Sequence, residues 1–487
     1  MRSDGVPDLG GRVGRRARPG AVANANTAAD AFADAGGAAG TPLPELRGGR
    51  RAGLAIGNSS NGPNYRMARS AWSYRDFRLL LAGSAAVGFV MPMQFLTQIF
   101  WIQERFEDRQ VFYVALVAAS RGSAMLLFGL VGGAFADRFE RRKVLMGAQA
   151  VSLVIHAAVA ALMVFEPLGG ANIVILLVLT FGAAGAMGVD QPARTASTPA
   201  IVGMEHLSSA ITLQMVAQQL TFPLALPLVG ALNSVMDPGT VYCLTLLAWV
   251  AILPLIAMLR FRSVGEANRA ESVVRNIGEG LRYTRGDATI FGVIALVLAL
   301  QVLGMPGPAT LGPVWMTKVL GLSQAQFGFM AMTWGLGTFV SSFFFVFRKG
   351  FSSSGRTLCA AVLTFAICAV VFAHSRSVPL TAVANFGLGL SMVATMVTAN
   401  TIVQQNVSDA MRGRVMGLFP LAMGLSMLGG LPVGTAGQVW GLPVVLPILA
   451  WSTVLATAAI ILLRPGIRRV GHGVAARPAA APAGGGS

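Results

Sequence analysis

From residue 79 to residue 463 the chain alternates long apolar runs with short polar breaks. Twelve runs stand out, at about 79–103, 111–136, 144–165, 172–193, 208–235, 240–260, 288–312, 325–347, 357–374, 379–402, 413–438 and 441–463. A helix needs about 20 apolar residues to cross a hydrocarbon core about 30 Å thick, and each run supplies close to that number. Strands of a membrane barrel are only about ten residues long. In lipid, only helices and closed barrels satisfy every backbone N–H and C=O. The pattern predicts an all-α membrane protein with twelve transmembrane helices.

The polar breaks carry a second pattern. On one side of the array fall Arg138 to Lys143, Arg194, the stretch from Arg260 to Arg285, Arg348 to Arg356, Arg412, Arg414 and Arg464 to Arg469; on the other fall only Arg105, Arg109, Lys318 and Arg376. Basic residues favour the cytoplasmic side, so both termini and the 138–143 turn are expected in the cytoplasm, with the spans in the plasma (inner) membrane. The longest break, 261–287, separates a first set of six spans (77–260) from a second (288–463). Within it Val274, Ile277 and Leu281 recur at helical spacing, with Arg275 and Arg282 off that stripe. An amphipathic helix on the cytoplasmic surface fits, and a plain basic linker is the alternative. Residues 1–70, rich in Gly, Ala, Arg and Pro, show no periodic apolar face and are expected to form a disordered cytoplasmic tail, as are residues 464–487. A translation start at Met67 is an alternative for the first tail.

Composition agrees with a membrane chain. Of 487 residues, 54% are hydrophobic and 12% charged, and the mean hydropathy is +0.64; a soluble domain carries about a quarter charged residues. The net charge of +17 lies in the N-terminal tail and at the ends of apolar runs rather than on one soluble basic face, so no nucleic-acid partner is expected. The bilayer itself is the expected partner, around a monomer.

The turn between the second and third runs reads Gly133-Ala134-Phe135-Ala136-Asp137-Arg138-Phe139-Glu140-Arg141-Arg142. Its pattern Gly-x-x-Ala-Asp-Arg-x-x-Arg-Arg resembles the signature loop between the second and third helices of major facilitator superfamily transporters. Two further motifs resemble an exporter branch of that superfamily, which includes enterobactin exporters and related actinobacterial efflux proteins. They are Asp190-Gln191-Pro192-Ala193-Arg194 after the fourth run and Arg412-Gly413-Arg414-Val415-Met416 opening the eleventh. The second-half counterpart of the signature loop, Arg348-Lys349-Gly350-Phe351-Ser352, is degenerate.

The resemblance implies the major facilitator fold, two six-helix halves with the substrate site between them near the bilayer midplane. It also implies that Asp137 faces the start of the eleventh helix, where the helix dipole favours an anion, and that Arg141 forms a charge network with Asp190. Gly133, Asp137, Arg138, Arg141, Asp190, Arg194, Arg412 and Arg414 are then the candidate gating set. A gate of this kind works because its contacts differ between two states.

Polar residues inside the runs are few. Arg121 lies ten residues into the second run, about 15 Å deep at 1.5 Å per residue. An arginine there needs a partner or an aqueous cavity; it either lines the substrate cavity, attracting an anionic substrate group or helping to couple protons, or bonds carbonyls or glutamines of neighbouring helices. Gln94 and Gln98 share one face of the first run, and Gln214 and Gln218 one face of the fifth. Gln301, Asn385 and Asn400 add polarity in the second half. All are candidate cavity residues, with interhelical hydrogen bonding as the alternative. His156 in the third run is read as structural, although its type titrates near neutral pH.

No carboxylate lies deep in the first, seventh or eighth run, so proton antiport rests on the resemblance alone and protons stay a candidate coupling ion. The three cysteines all fall inside runs, with neither disulfide nor metal spacing. No Gly-x-x-x-x-Gly-Lys-Ser/Thr phosphate loop is present, and no nucleophile–base set stands out, so neither a cofactor nor an enzymatic activity is expected. The sequence thus predicts an alternating-access transporter effluxing a hydrophobic or amphiphilic small molecule, such as a drug, secondary metabolite or siderophore. Metabolite uptake, facilitated diffusion and a non-transporting receptor of the same fold are the alternatives.

Overall fold

The computed structural model describes residues 71–470 apart from 168, 262, 264–272 and 348–353; the side chains at 130, 131, 133, 134, 136, 137, 215, 218, 219, 273, 274, 346 and 347 are not described either. Both tails as expected from the sequence, 1–70 and most of 464–487, therefore lie outside the described residues.

Each expected span is helical. The first six are α1 (Arg75–Arg105), α2 (Gln110–Arg138), α3 (Arg141–Phe165), α4 (Asn172–Val202), α5 (Leu207–Val235) and α6 (Pro238–Ala257). A surface helix α7 (Val273–Gly286) follows. Then come α8 (Ala288–Lys318), α9 (Gln324–Phe347), α10 (Gly355–His374), α11 (Val378–Asn406), the short α12 (Asp409–Met416), α13 (Leu418–Trp440) and α14 (Leu442–Leu463). Among the described residues eleven helices are long and apolar enough to span a bilayer, and α5 carries a shorter apolar stretch, Leu220–Val235, in keeping with a twelfth span.

Three differences from the sequence reading have physical causes. First, α4 continues to Val202, so Asp190 and Arg194 sit within the helix and not in a loop after it. Pro192 and Pro199 lie inside it; neighbouring helices let transmembrane helices tolerate proline. Second, the eleventh run is broken at Gly417, which puts Arg412 and Arg414 on the separate helix α12. Third, α8 widens to π geometry over Leu300–Gly304 and Pro306–Leu311. Pro306 and Pro308 have no N–H to give, and the Met305 N–H bonds back to the Leu300 carbonyl at 2.9 Å.

We call the end carrying the starts of α1 and α3 the near end, and the end carrying the α1–α2 turn the far end. α2 packs on α4 and α13; α5 packs on α1 and α9; α6 packs on α1 and α3; and α11 packs on α9 and α10. The α5–α9 contact is backbone against backbone toward the far end. A Cβ on Gly328 would lie 2.7 Å from the Leu226 carbonyl oxygen, and one on Gly230 would lie 2.6 Å from that of Gln324. Small residues that permit this approach are a general device of membrane helix pairs, where lipid offers no hydrophobic drive to associate.

The outer surface is apolar, with Val178, Leu247, Val383 and Leu455 exposed to the lipid. Trp101 and Trp315 are fully buried, and Trp72, Trp440 and Trp451 are exposed.

Candidate functional site

Toward the near end, α4 carries a buried ion pair. Asp190 is 1% exposed and Arg194 4%. The two are four residues apart and so share one helix face. Arg194 Nε donates to Asp190 Oδ2 at 3.0 Å and Nη2 to Oδ1 at 3.2 Å. Gln149 of α3 donates to the same Oδ1 at 2.9 Å, and Arg194 Nη1 reaches Ser84 Oγ of α1 at 3.1 Å. Three helices therefore satisfy this pair. The expected Arg141–Asp190 contact is not formed: Arg141, at the start of α3, donates to the Ala196 carbonyl at 2.8 Å and to Ser263 Oγ at 3.0 Å. Arg194, one turn from Asp190, occupies the carboxylate that Arg141 was expected to meet.

The remaining gate candidates lie at the near end. Arg138 closes α2 and is exposed; the backbone of Gly133 and Asp137 is helical, and their side chains are outside the described set. Arg412 pairs locally with Asp409 at 2.7 Å. Arg414 reaches across to α7, where Glu279 takes it at 2.6 Å and Arg275 at 2.8 Å. The Arg275 hydrogen bond, reinforced by Arg414, holds the Glu279 carboxyl below the usual carboxylate range. Backbone contact accompanies the charge: a Cβ on Gly280 would lie 2.6 Å from the Arg414 carbonyl oxygen. The buried face of α7 runs through Ile277, Gly280 and Thr284, while Leu281, expected on that face, points outward. Glu279 was not singled out from the sequence. Its spacing of four from Arg275 in an otherwise basic linker was the available signal.

At the far end, polar contacts join the first six spans to the last six. Lys318 pairs with Glu107 at 2.9 Å. Gln324 Nε2 donates to Glu104 Oε1 at 2.8 Å, and Thr317 Oγ1 to Gln103 Oε1 at 3.3 Å. Gln438 of α13 donates to the Asp108 carbonyl at 2.6 Å and accepts from the Phe112 N–H at 3.4 Å. Beneath them Phe100 meets Phe327 edge to face, centroids 5.6 Å apart. Separately, Arg105 ties α1 to Glu166 at 2.6 Å and Asp237 at 3.3 Å.

Between the two ends lie the candidate cavity residues. Arg121 is 8% exposed and its guanidinium carbon stands 4.9 Å from the Phe95 ring centroid. It has no hydrogen bond and no ion pair among the described residues. The cost of placing an arginine at such depth is about 2.5–3.5 kcal/mol on insertion scales. Gln94 donates to Thr245 Oγ1 and Gln98 to Tyr242 Oη, both at 3.1 Å. His156 Nδ1 meets the same Tyr242 hydroxyl at 2.8 Å and its ring stacks on Trp249. Each of these groups keeps one unpaired atom: Gln94 Oε1, Gln98 Oε1 and His156 Nε2.

The other candidates separate. Asn385 bridges α11 to α9 through the Met330 carbonyl and Thr333 Oγ1. Asn400 bonds its own helix at the Met396 carbonyl. Gln214 bonds Thr198 at 3.0 Å. Gln301 is buried with Oε1 unpaired, and the Gln218 side chain is outside the described set.

Known proteins share this sequence and fold. The model of the transmembrane secretion effector family matches residues 77–477. The multidrug efflux pump Tap of Mycobacterium tuberculosis is 26% identical over 373 residues, 73% of this chain and 86% of that protein. The enterobactin exporter EntS of Shigella dysenteriae is 24% identical over 387 residues, 74% of this chain and 84% of its own. Among solved structures, the nucleoside transporter NupG superposes with a TM-score of 0.60 at 14% identity, covering 80% of this chain and 98% of that one. A peptide transporter POT bound to sulfate gives 0.62 at 13%, covering 83% and 99%. The described helices have the major facilitator fold, and the chain belongs to the transmembrane secretion effector family of major facilitator membrane transporters.

Proposed function

We propose that this protein is an alternating-access exporter of the plasma membrane that moves small hydrophobic or amphiphilic molecules out of the cell. The names of its relatives, a multidrug efflux pump and an enterobactin exporter, support the direction. The concentration of Arg and Lys at the near end supports a cytoplasmic location for that end and for both termini. The far end then faces outward.

One observation carries the mechanism: contacts from Glu104, Glu107 and Gln103 to Gln324, Lys318 and Thr317 join the two sets of spans at the far end, two of them exposed and the Gln103–Thr317 pair half-buried. Exposed pairs contribute only about 0–1 kcal/mol each. They can open and re-form in a cycle at small energetic cost. In this state substrate would enter from the near end and be released outward once the far-end pairs part.

The near-end groups Gly133, Asp137, Arg138, Arg141, Arg412 and Arg414, with the Asp190–Arg194 pair behind them, would form the gate that closes in the alternate state. Gln94, Gln98, Gln214, Gln218, Gln301, Asn385 and Asn400 would line or support the route. The 261–287 segment joins the halves 77–260 and 288–463, and the monomer is the working unit. Proton antiport is the coupling we assign to this cycle.

Expression in an efflux-deficient bacterial host tests the reading. Cells carrying the protein should retain less of at least one dye in a panel of fluorescent amphiphiles. Collapsing the pH gradient should restore retention. Unchanged retention across the panel, with the protein present in the membrane, would sink the export reading.

A further inference from the structure

We infer that Arg121 is the receptor for an acidic group, so that the molecules this protein takes are small amphiphilic organic anions. The inference rests on the export reading and names its substrate class.

Charge accounting comes first. Arg194, the other deeply buried arginine, is neutralised by a bidentate carboxylate, Asp190. Arg105 at the far end is neutralised by Glu166 and Asp237. Arg121 is 8% exposed and makes no hydrogen bond and no ion pair among the described residues. Its guanidinium stays charged at any physiological pH and carries five donors in a planar fork. A buried fork of that kind with nothing in it is a receptor for the bidentate anions it matches, carboxylate, sulfonate or phosphate.

Position comes second. Arg121 precedes Gly122, the point where α2 touches α13; a Cβ on Gly122 would meet Met427 at 2.6 Å and the Gly424 carbonyl at 2.9 Å. Arg121 thus lies on the helix that meets the second set of spans, and its guanidinium turns toward Phe95 of α1. Its flat face is covered by the half-buried Phe95 ring at 4.9 Å, which leaves the guanidinium edges for a ligand and offers an aromatic wall to an apolar body. Gln94 and Gln98 retain unpaired buried oxygens on the α1 side. One fixed positive charge and an aromatic wall suit a monoanion with an apolar ring system, and the glutamine oxygens suit an N–H or O–H carried on that ring system. The same charge repels a permanent cation.

Equilibrium binding to the full-length protein in lipid nanodiscs tests this, with empty nanodiscs subtracted. The two probes are 8-anilinonaphthalene-1-sulfonate and N-phenyl-1-naphthylamine, which share a ring system and differ by the sulfonate. Wild type should bind the sulfonate at least tenfold more tightly than the neutral probe. Arg121→Gln should weaken the sulfonate at least tenfold and leave the neutral probe within about twofold. Arg121→Lys, which keeps the charge and loses the fork, should bind the sulfonate with an affinity between those of wild type and Arg121→Gln. The inference is overturned if wild type shows no preference for the sulfonate, or if Arg121→Gln weakens both probes equally or neither. Dye retention in cells separates this from the export reading: sulfonate selectivity without any export leaves the anion site standing and removes the transport function.

Discussion

At the scale of single residues, Asp190 and Arg194 show what a buried charge in this bundle requires. The carboxylate takes three hydrogen bonds, two from Arg194 and one from Gln149. Removing one member of a buried pair leaves the other charged and unmatched, at a cost of about 3–5 kcal/mol. Asp190→Asn should therefore lower the melting temperature of the solubilised protein by several degrees. The double variant Asp190→Asn with Arg194→Gln should recover more than half of that loss. Equal melting of single and double variants would mean that the pair is not the cause. The spacing of four between these residues was legible in the sequence, and it predicts this pair once the helix is known to continue. What hid it was Pro192, which reads as a helix end although it lies inside α4. Arg121 needed no such context: a charge ten residues inside an apolar run is deep wherever the helix ends fall.

At the scale of elements, α7 is held against α12 by Glu279 and by the close approach of Gly280 to the Arg414 backbone. Glu279→Gln should speed hydrogen–deuterium exchange over 273–286 and leave the exchange of α11 and α13 unchanged. Unaltered exchange in α7 would show that packing through Ile277 and Thr284 suffices. Because the Glu279 carboxyl is held low, the charged pairing is complete above the ordinary carboxylate range and fades only as pH falls below it. The helical spacing of Val274, Ile277 and Leu281 within 261–287 was legible as a 3.6-residue period, yet the buried face of α7 (Val273–Gly286) was misread at Leu281. Period counting places Leu281 inside; the backbone contact at Gly280 turns the helix so that Leu281 faces outward. All twelve spans were legible for the simpler reason that bilayer thickness fixes their length.

At the scale of the whole molecule, the far-end closure was invisible in the sequence. Gln103 meets Thr317, Glu104 meets Gln324 and Asp108 meets Gln438 across more than 200 residues of chain. No local pattern encodes such pairs, and the sequence marked their members only as charges or amides near helix ends. Alternating access requires these contacts to part once per cycle. Its most direct test is a reversible tether across the far end. In a chain whose Cys243, Cys359 and Cys368 have been replaced by serine, Glu104→Cys and Gln324→Cys would be joined by a short reducible bifunctional thiosulfonate. Dye export from cells should stop as the tether forms, with retention rising to the level of cells lacking the protein, and should resume on reduction. Export that continues at its full rate with the tether complete would contradict the account.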